Sequence, residues 1–385
     1  MHTLRFCTAG SVDDGKSTFV GRLLHDTKSI LADQLDSIQR SSATRGFDGL
    51  DLSLLVDGLR AEREQGITID VAYRYFATAH RNFILADTPG HVQYTRNTVT
   101  GVSTSDVVVL LVDARKGVIE QTRTHLSVAA LLGVQTVILA VNKIDLVDYS
   151  EAVFNTIDAD FRSIAAHVGI TQPHAVPISA LNGDNVVEAS TNLPWYTGPT
   201  VLELLETIDV ETEESDFRFP IQYVIRSTDY RGYAGSVASG SIRVGQEVDT
   251  PSGTTTITGI DTSDGPVTIA HRGAAVTLRI ADELDLSRGD LVAINPPQPV
   301  TQLSATIVGL SPTKVTAGQV VELRYATSTV KARIADEIAH NAIVPTAVSL
   351  QTALPVEPYA GRGAVGAFLV VHPTTGDTLA AGLVT

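Results

Sequence analysis

A single cysteine, Cys7, stands in 385 residues, so no disulfide can close within the chain, and a reducing cytosol suits it. Cys7 sits on a short strand-forming run and reads as a small core residue, not a reactive thiol. No apolar stretch reaches the length needed to cross a bilayer. Met1-His2-Thr3-Leu4-Arg5 leads straight into a strand, with no secretory signal. A cytoplasmic protein with no membrane partner is expected. Positive charge is scarce too: 28 Lys and Arg face 43 Asp and Glu, a net charge of −15. That argues against a protein that coats nucleic acid, and the acidity is read as solubility. Cysteine and histidine form no metal-binding cluster, because the 10 histidines are scattered. The length allows two or three domains, and a hydrophobic fraction of 43% supports sizeable cores.

What the chain does contain is concentrated in a few loops. Gly10-Ser11-Val12-Asp13-Asp14-Gly15-Lys16-Ser17 fills every fixed position of the phosphate-binding pattern G-x-x-x-x-G-K-[ST], and Thr18 follows it. Thr3 to Ala9 before it has β-forming composition, and Ser17 to Leu24 after it reads as the first turns of a helix. A strand, a glycine loop and a helix N-terminus together present backbone N–H groups and a favourable dipole to an anion. Gly10 and Gly15 allow the backbone to turn and approach phosphates closely. Lys16 then reaches the β- and γ-phosphates, and the Ser17 hydroxyl is a ligand for Mg²⁺. The alternative is a plain glycine turn between strand and helix.

Further motifs follow in an order that argues against that alternative. The region 1–210 alternates strand-like and helix-like segments, which predicts an α/β P-loop domain: a mainly parallel sheet with helices on both faces. Strands are predicted at 3–9, 68–76, 82–87, 106–112, 136–142 and 174–178. The runs at 107–112 and 136–141 are continuously apolar, as in strands buried on both faces. Helical spacing of Leu31, Leu35 and Ile38 predicts a helix in the long segment 26–67. Thr68, after Gly66-Ile67, is a candidate second Mg²⁺ ligand, ordered by a γ-phosphate. Asp87-Thr88-Pro89-Gly90-His91 follows the third strand. Asp87 can hold the Mg²⁺ shell, Gly90 can offer its N–H to the γ-phosphate, and His91 can orient the attacking water, the task of glutamine in other GTPases. Asn142-Lys143-Ile144-Asp145 follows the fifth strand. The Asp145 carboxylate can accept from N1–H and the 2-amino group of guanine, both missing in adenine. Asn142 can bond the base edge and support the loop, while the Lys143 stem covers the ring. In Ser179-Ala180-Leu181 a backbone N–H can meet guanine O6. In this order the motifs specify a guanine-nucleotide hydrolase with GTP and Mg²⁺ as cofactors.

On those residues the chain resembles the translation-factor class of GTPases, through Gly66-Ile67-Thr68 and Asp87-Thr88-Pro89-Gly90-His91. Within the class it resembles the large, GTPase subunits of bacterial sulfate adenylyltransferase. Val12-Asp13-Asp14 stands where elongation factor Tu has flanking histidines. The run Leu54 to Phe76, Gln93-Tyr94-Thr95-Arg96-Asn97, Asp113-Ala114-Arg115-Lys116-Gly117-Val118 and Pro194-Trp195-Tyr196 carry the likeness, which spans nearly the whole chain. It implies that GTP hydrolysis drives ATP and sulfate to adenosine 5′-phosphosulfate and pyrophosphate on a partner small, adenylyl-transferring subunit. Nothing here looks like a second nucleotide site, in keeping with that division. Val92 departs from the family's usual glutamate. By analogy with the class, Val12 and Ile67 form an apolar gate beside His91, and Asp13 helps to bind a monovalent cation. Two other readings remain open: a translation elongation factor-like GTPase, and a GTP-dependent binding switch without sulfate chemistry.

Glu211 to Asp216 is an acidic linker. Beyond it, short β-forming runs separated by Gly, Pro, Asp and Ser predict two β-barrel domains, at 217–298 and 300–385, split by Pro296-Pro297-Gln298-Pro299. Arg231-Gly232-Tyr233-Ala234-Gly235, Ser287-Arg288-Gly289-Asp290 and the run from Tyr359 to Val370 continue the resemblance. No catalytic cluster is legible in either barrel. The adenylyl sulfate kinase that some family members carry after this point is not expected here.

Overall fold

The computed structural model describes residues 3–30, 52, 71–90, 95–209, 215–359 and 365–385. The helix predicted around Leu31 to Ile38, the first-switch residues Ile67 and Thr68, and His91 and Val92 lie outside the described residues. The chain divides into two compact units, residues 1–210 and 211–385.

The first unit is built on β1 (Thr3–Ala9), β2 (Ala72–Ala77), β3 (Asn82–Asp87), β4 (Val107–Asp113), β5 (Thr136–Asn142) and β6 (Gln172–Pro177). They form one six-stranded sheet in the order β2-β3-β1-β4-β5-β6. Every residue of β4 and β5 is buried, as their unbroken apolar runs require. β1 pairs in parallel with β3 on one side and β4 on the other. The strand order therefore reverses at β1, where sheets of this type bind ligands beyond their C-terminal ends. β2 alone is antiparallel to its neighbour, because the tight hairpin to β3 cannot join parallel strands. Val71 lies before this strand, which starts at Ala72, and the predicted positions 68–70 lie outside the described residues. β4 begins one residue later than its composition indicates, since the Asp106 carboxylate turns back to accept the Arg5 N–H at 2.8 Å.

The helices have chemically legible ends. α1 (Lys16–Asp26) is preceded by Gly15 in the left-handed region, φ 90°, so the helix begins at Lys16. α2 (Thr95–Ser103) follows the Asp-Thr-Pro-Gly loop and α3 (Glu120–Leu131) follows β4. α4 (Glu151–Val168) is capped by the Ser150 hydroxyl, which accepts the Val153 N–H, and stops at Gly169 with φ 86°. α5 (Val201–Thr207) opens with a reciprocal Thr200–Glu203 capping box. The buried Arg81 guanidinium on the β2–β3 hairpin closes the other end of α5 by donating to the Leu205 carbonyl at 3.2 Å and the Ile208 carbonyl at 2.6 Å.

The second unit holds two antiparallel barrels. In the first, strands Glu247–Thr250, Leu291–Ala293, Arg218–Ser227, Tyr230–Ser236, Ala275–Ile280 and Gly253–Thr262 form a ring, closed by pairing of the last with the first. The second, between Val300 and Val384, is also closed, with Val300–Gly309 paired to Thr378–Val384. Each has its own core, around Phe219, Tyr233 and Leu278 in one and Val321, Leu323 and Val370 in the other. The buried Arg218 binds Glu357 at 3.0 Å.

Candidate functional site

The loop between β1 and α1 is shaped for close approach. Gly10 and Gly15 have φ of 144° and 90°, where only glycine is at ease. A Cβ on Gly10 would stand 2.6 Å from the Leu111 carbonyl oxygen, and one on Gly15 would strike the Asn142 amide. The Ser11 N–H donates to the Asp14 carboxylate at 2.7 Å. Burial pushes the Asp14 pKa up, against that hydrogen bond and the nearby Lys16. Lys16 is the buried cation of the site. Its ammonium donates to the carbonyls of Gly10 at 2.9 Å and Ser11 at 2.8 Å. No carboxylate among the described residues pairs with it. Burial lowers its pKa, while Asp87, Asp14 and Asp13 act in the opposite sense from further away. Ser17, Thr18 and Val12 stand half-buried around it, and Asp13 is exposed with φ 69°.

The end of β3 is tied to this loop. Asp87 is fully buried and accepts from the Thr8 hydroxyl at 2.7 Å. Thr88 donates to the Thr8 carbonyl at 2.6 Å, and Thr98 of α2 donates to the Pro89 carbonyl at 3.2 Å. Gly90 lies against the phosphate loop, where a Cβ would strike the Lys16 ammonium and stand 2.6 Å from the Gly10 carbonyl oxygen. The two remaining predicted site residues, His91 and Thr68, lie outside the described residues.

On the far side of the loop, β5 leads into Asn142, Lys143 and a 3-10 turn, Ile144–Val147. Asn142 bridges two loops. Its amide donates to the Asp14 carbonyl at 2.8 Å, and its Oδ1 accepts the Ala180 N–H at 2.9 Å. The structure thus uses it as a strut and commits the Ala180 N–H to it, which leaves the Leu181 N–H as the open donor of that tripeptide. Lys143, at φ 62°, crosses to the phosphate loop and donates to the Asp13 carbonyl and, at 3.0 Å, to Asp113. Asp145 is half-buried at the start of the turn and Ser179 is fully buried.

Three supporting residues escaped the sequence reading. Arg22 on α1 donates to the carbonyls of Ala180, at 3.2 Å, and Leu181, so the phosphate helix holds the predicted guanine loop. Asp113 at the end of β4 is buried; that alone would raise its pKa, but bonds from Arg115 and Lys143 hold it well below the usual carboxylate range. Its motif was visible as a family likeness, while its hold on Lys143 was not. Gln121, the third, is the second residue of α3. His125 lies one turn further along that helix, buried, with its Nε2 unpartnered. Burial first and the Lys16 charge second lower its pKa to about 4. Unfolding restores it to about 6.5. Between those values only the unfolded chain takes up the proton, so stability falls as pH drops from 6.5 to 4, by at most about 1.4 kcal/mol per unit. Unfolding curves across this window should show that slope in the wild type and a flatter one in His125→Gln.

No helix among the described residues is long and apolar enough to cross a membrane, and no group of His, Cys, Asp and Glu among them has the arrangement of a metal site. The family profile of the elongation factor Tu GTP binding domain matches residues 1–214. Sulfate adenylyltransferase subunit 1 of Aeromonas salmonicida (strain A449) is 46% identical, over 99% of this chain and 86% of its own length. The protein of that name from Vibrio cholerae serotype O1 (strain ATCC 39541 / Classical Ogawa 395 / O395) is 47% identical with the same coverage. The bifunctional enzyme CysN/CysC of Mycobacterium tuberculosis (strain ATCC 25618 / H37Rv) is 47% identical over 99% of this chain and 67% of its own length. Among solved structures, the Saccharomyces cerevisiae Ski7 GTPase-like domain, bound to GDP and inorganic phosphate, superposes with a TM-score of 0.59 at 17% identity, covering 100% of this chain and 97% of that one. At that identity the likeness concerns the fold alone.

Proposed function

The chain belongs to the elongation factor Tu type of GTP-binding proteins and, within it, to the sulfate adenylyltransferase subunit 1 family; from this premise we propose that it hydrolyses GTP to drive sulfate activation on a partner subunit. The carrying observation is Lys16: a buried ammonium at the head of a helix, under a glycine loop, hydrogen-bonded to two backbone carbonyls and paired with no carboxylate among the described residues. Buried charges are normally neutralised, and a polyphosphate is the anion this cradle suits. Lys16 balances charge on the β- and γ-phosphates and the loop N–H groups hold the oxygens. The Gly90 N–H faces the γ-phosphate, and His91 orients a water toward the γ-phosphorus. The water oxygen bonds to that phosphorus as its bond to the β–γ bridging oxygen breaks, the water's proton passes to the phosphate, and GDP and inorganic phosphate leave. Ser17, Thr68 and Asp87 supply the hard oxygen donors that would hold Mg²⁺. Bound there, the ion would supply positive charge that offsets the negative charge of the nucleotide's phosphates. The Asp145 carboxylate selects guanine, and the Ser179-Ala180-Leu181 loop, braced by Arg22 and Asn142, closes the base pocket.

The energy has a chemical use. Sulfate attacks the α-phosphorus of ATP, pyrophosphate leaves, and the sulfate–phosphate anhydride of adenosine 5′-phosphosulfate forms, a strongly uphill step. In our reading that transfer takes place on a separate small subunit in the cytosol, without membrane or nucleic acid. The segments ending at Thr68 and starting at Asp87 form the two-state element that coupling requires. Domains at 1–210, 217–298 and 300–385 accompany this reading, the barrels serving as docking and relay surfaces. Relatives at 46–47% identity favour the sulfate enzyme over a translation factor. The test is sulfate-dependent pyrophosphate release from ATP by this chain with the small subunit, with and without GTP. GTP is expected to raise the yield well above the GTP-free level. GTP turnover with ATP and sulfate untouched would instead support the translation-factor or switch reading.

A further inference from the structure

Gln121 is not itself among the predicted phosphate or base contacts, yet it joins the two loops predicted to sense the γ-phosphate. Its Oε1 accepts the Ser11 hydroxyl at 2.9 Å. Its Nε2 donates to the Gly90 carbonyl. The orientation of the amide is forced, because a carbonyl only accepts: Nε2 must face Gly90, and Oε1 is left for the hydroxyl, which can donate. Ser11 is itself firmly held. It is 6% exposed, its N–H is bound by Asp14 at 2.7 Å and its carbonyl by Lys16 at 2.8 Å. Gly90 is buried with Lys16 directly against it. One side chain thus spans from the phosphate loop to the second switch at the point where both meet the buried cation.

We infer that Gln121 is a positioning residue that couples the phosphate loop to the second switch at Gly90. The inference rests on the GTPase reading above. The peptide plane that carries the Gly90 carbonyl is rigid, so the bond that holds this carbonyl fixes the orientation of that plane at the end of the Asp-Thr-Pro-Gly loop. Movement of Ser11 as a γ-phosphate enters is passed through the amide to Gly90. The link needs both halves of the amide: an acceptor toward Ser11 and a donor toward Gly90. Glutamate in its place keeps the length and the acceptor but offers no donor when ionised. Methionine keeps the length and offers neither.

Single-turnover GTP hydrolysis, together with titrations of GDP and a non-hydrolysable GTP analogue, tests this in the full chain for Gln121→Glu, Gln121→Met and Gln121→Ala. Circular dichroism checks that each variant is folded. The expected result is a fall in the hydrolysis rate of about tenfold to a hundredfold in all three, the size of a small misplacement at a reacting centre. GDP affinity should stay within about threefold, while preference for the analogue over GDP is lost. Wild-type rate and wild-type preference in Gln121→Glu overturn the inference. So does an equal loss of affinity for both nucleotides at unchanged rate, which marks a residue that only holds its loop in shape. A wild-type chain that binds GTP but does not turn it over would sink the hydrolase reading instead. The analogue-to-GDP ratio still reports the link in that case.

Discussion

Asp145→Asn is expected to move the site from guanine to xanthine nucleotides. The aspartate offers two acceptors on one rigid plane, which match N1–H and the 2-amino group of guanine. Asparagine replaces one acceptor with a donor, which suits N1–H together with a 2-oxo group. Asp145 is the second residue of the 3-10 turn Ile144–Val147, and Lys143 before it, with its left-handed backbone and bonds to Asp13 and Asp113, fixes the turn. Asp145 is half-buried, and a bound base would cover it further, so a mismatched partner leaves it poorly paired. Polar sites that lose their partner in this way discriminate by about 10⁴, and the exchange should weaken GDP binding by a factor near that. Competition titrations with GDP and XDP measure it directly. Retained preference for GDP in the variant would mean that the base is read elsewhere.

His91→Ala should leave GTP affinity within about threefold and lower the hydrolysis rate by roughly 10²–10⁴, the range for loss of a group that positions or activates the attacking water. The approach to that position is well held. Thr88 is bound to the Thr8 carbonyl, Pro89 to the Thr98 hydroxyl, and Gly90 to Gln121. In the proposed reading, binding rests on Lys16, the phosphate loop and Asp145, none of which the substitution touches. Single-turnover hydrolysis and nucleotide titration on the same preparation separate the two effects. In the coupled assay, the variant should also lose the response of pyrophosphate release to GTP. A variant that hydrolyses GTP at the wild-type rate would remove His91 from the chemistry. One that fails to bind GTP would assign it a structural role.

The two substitutions probe motifs that were legible in the chain, but the surroundings that make the motifs work were not. Asn142 illustrates the difference. Its place after an apolar strand marks it as part of a base-binding loop, yet its amide ends reach Asp14 and Ala180, partners far away in sequence. Gln121 is more hidden still. It reads as an ordinary polar residue in the first turn of a helix, and its two partners come from the ends of other strands. His125 looks like one scattered histidine among ten, and only burial beside Lys16 lowers its pKa to about 4.

Local chemistry set what the sequence could determine alone. Glycine at positions of positive φ and unbroken apolar runs for buried strands act within a few residues, so the phosphate loop with its helix and the central strands could be read directly. The β-rich character of residues 217–385 was equally plain. The tertiary structure decided which strands are neighbours, the antiparallel edge at β2, the closure of each barrel and the braces behind the site. Pairing of Val300–Gly309 with Thr378–Val384, or of Arg22 with the carbonyls of Ala180 and Leu181, depends on bringing distant segments together. That step is governed by burial of the whole core and by satisfaction of backbone polar groups, and neither quantity belongs to any single stretch of chain.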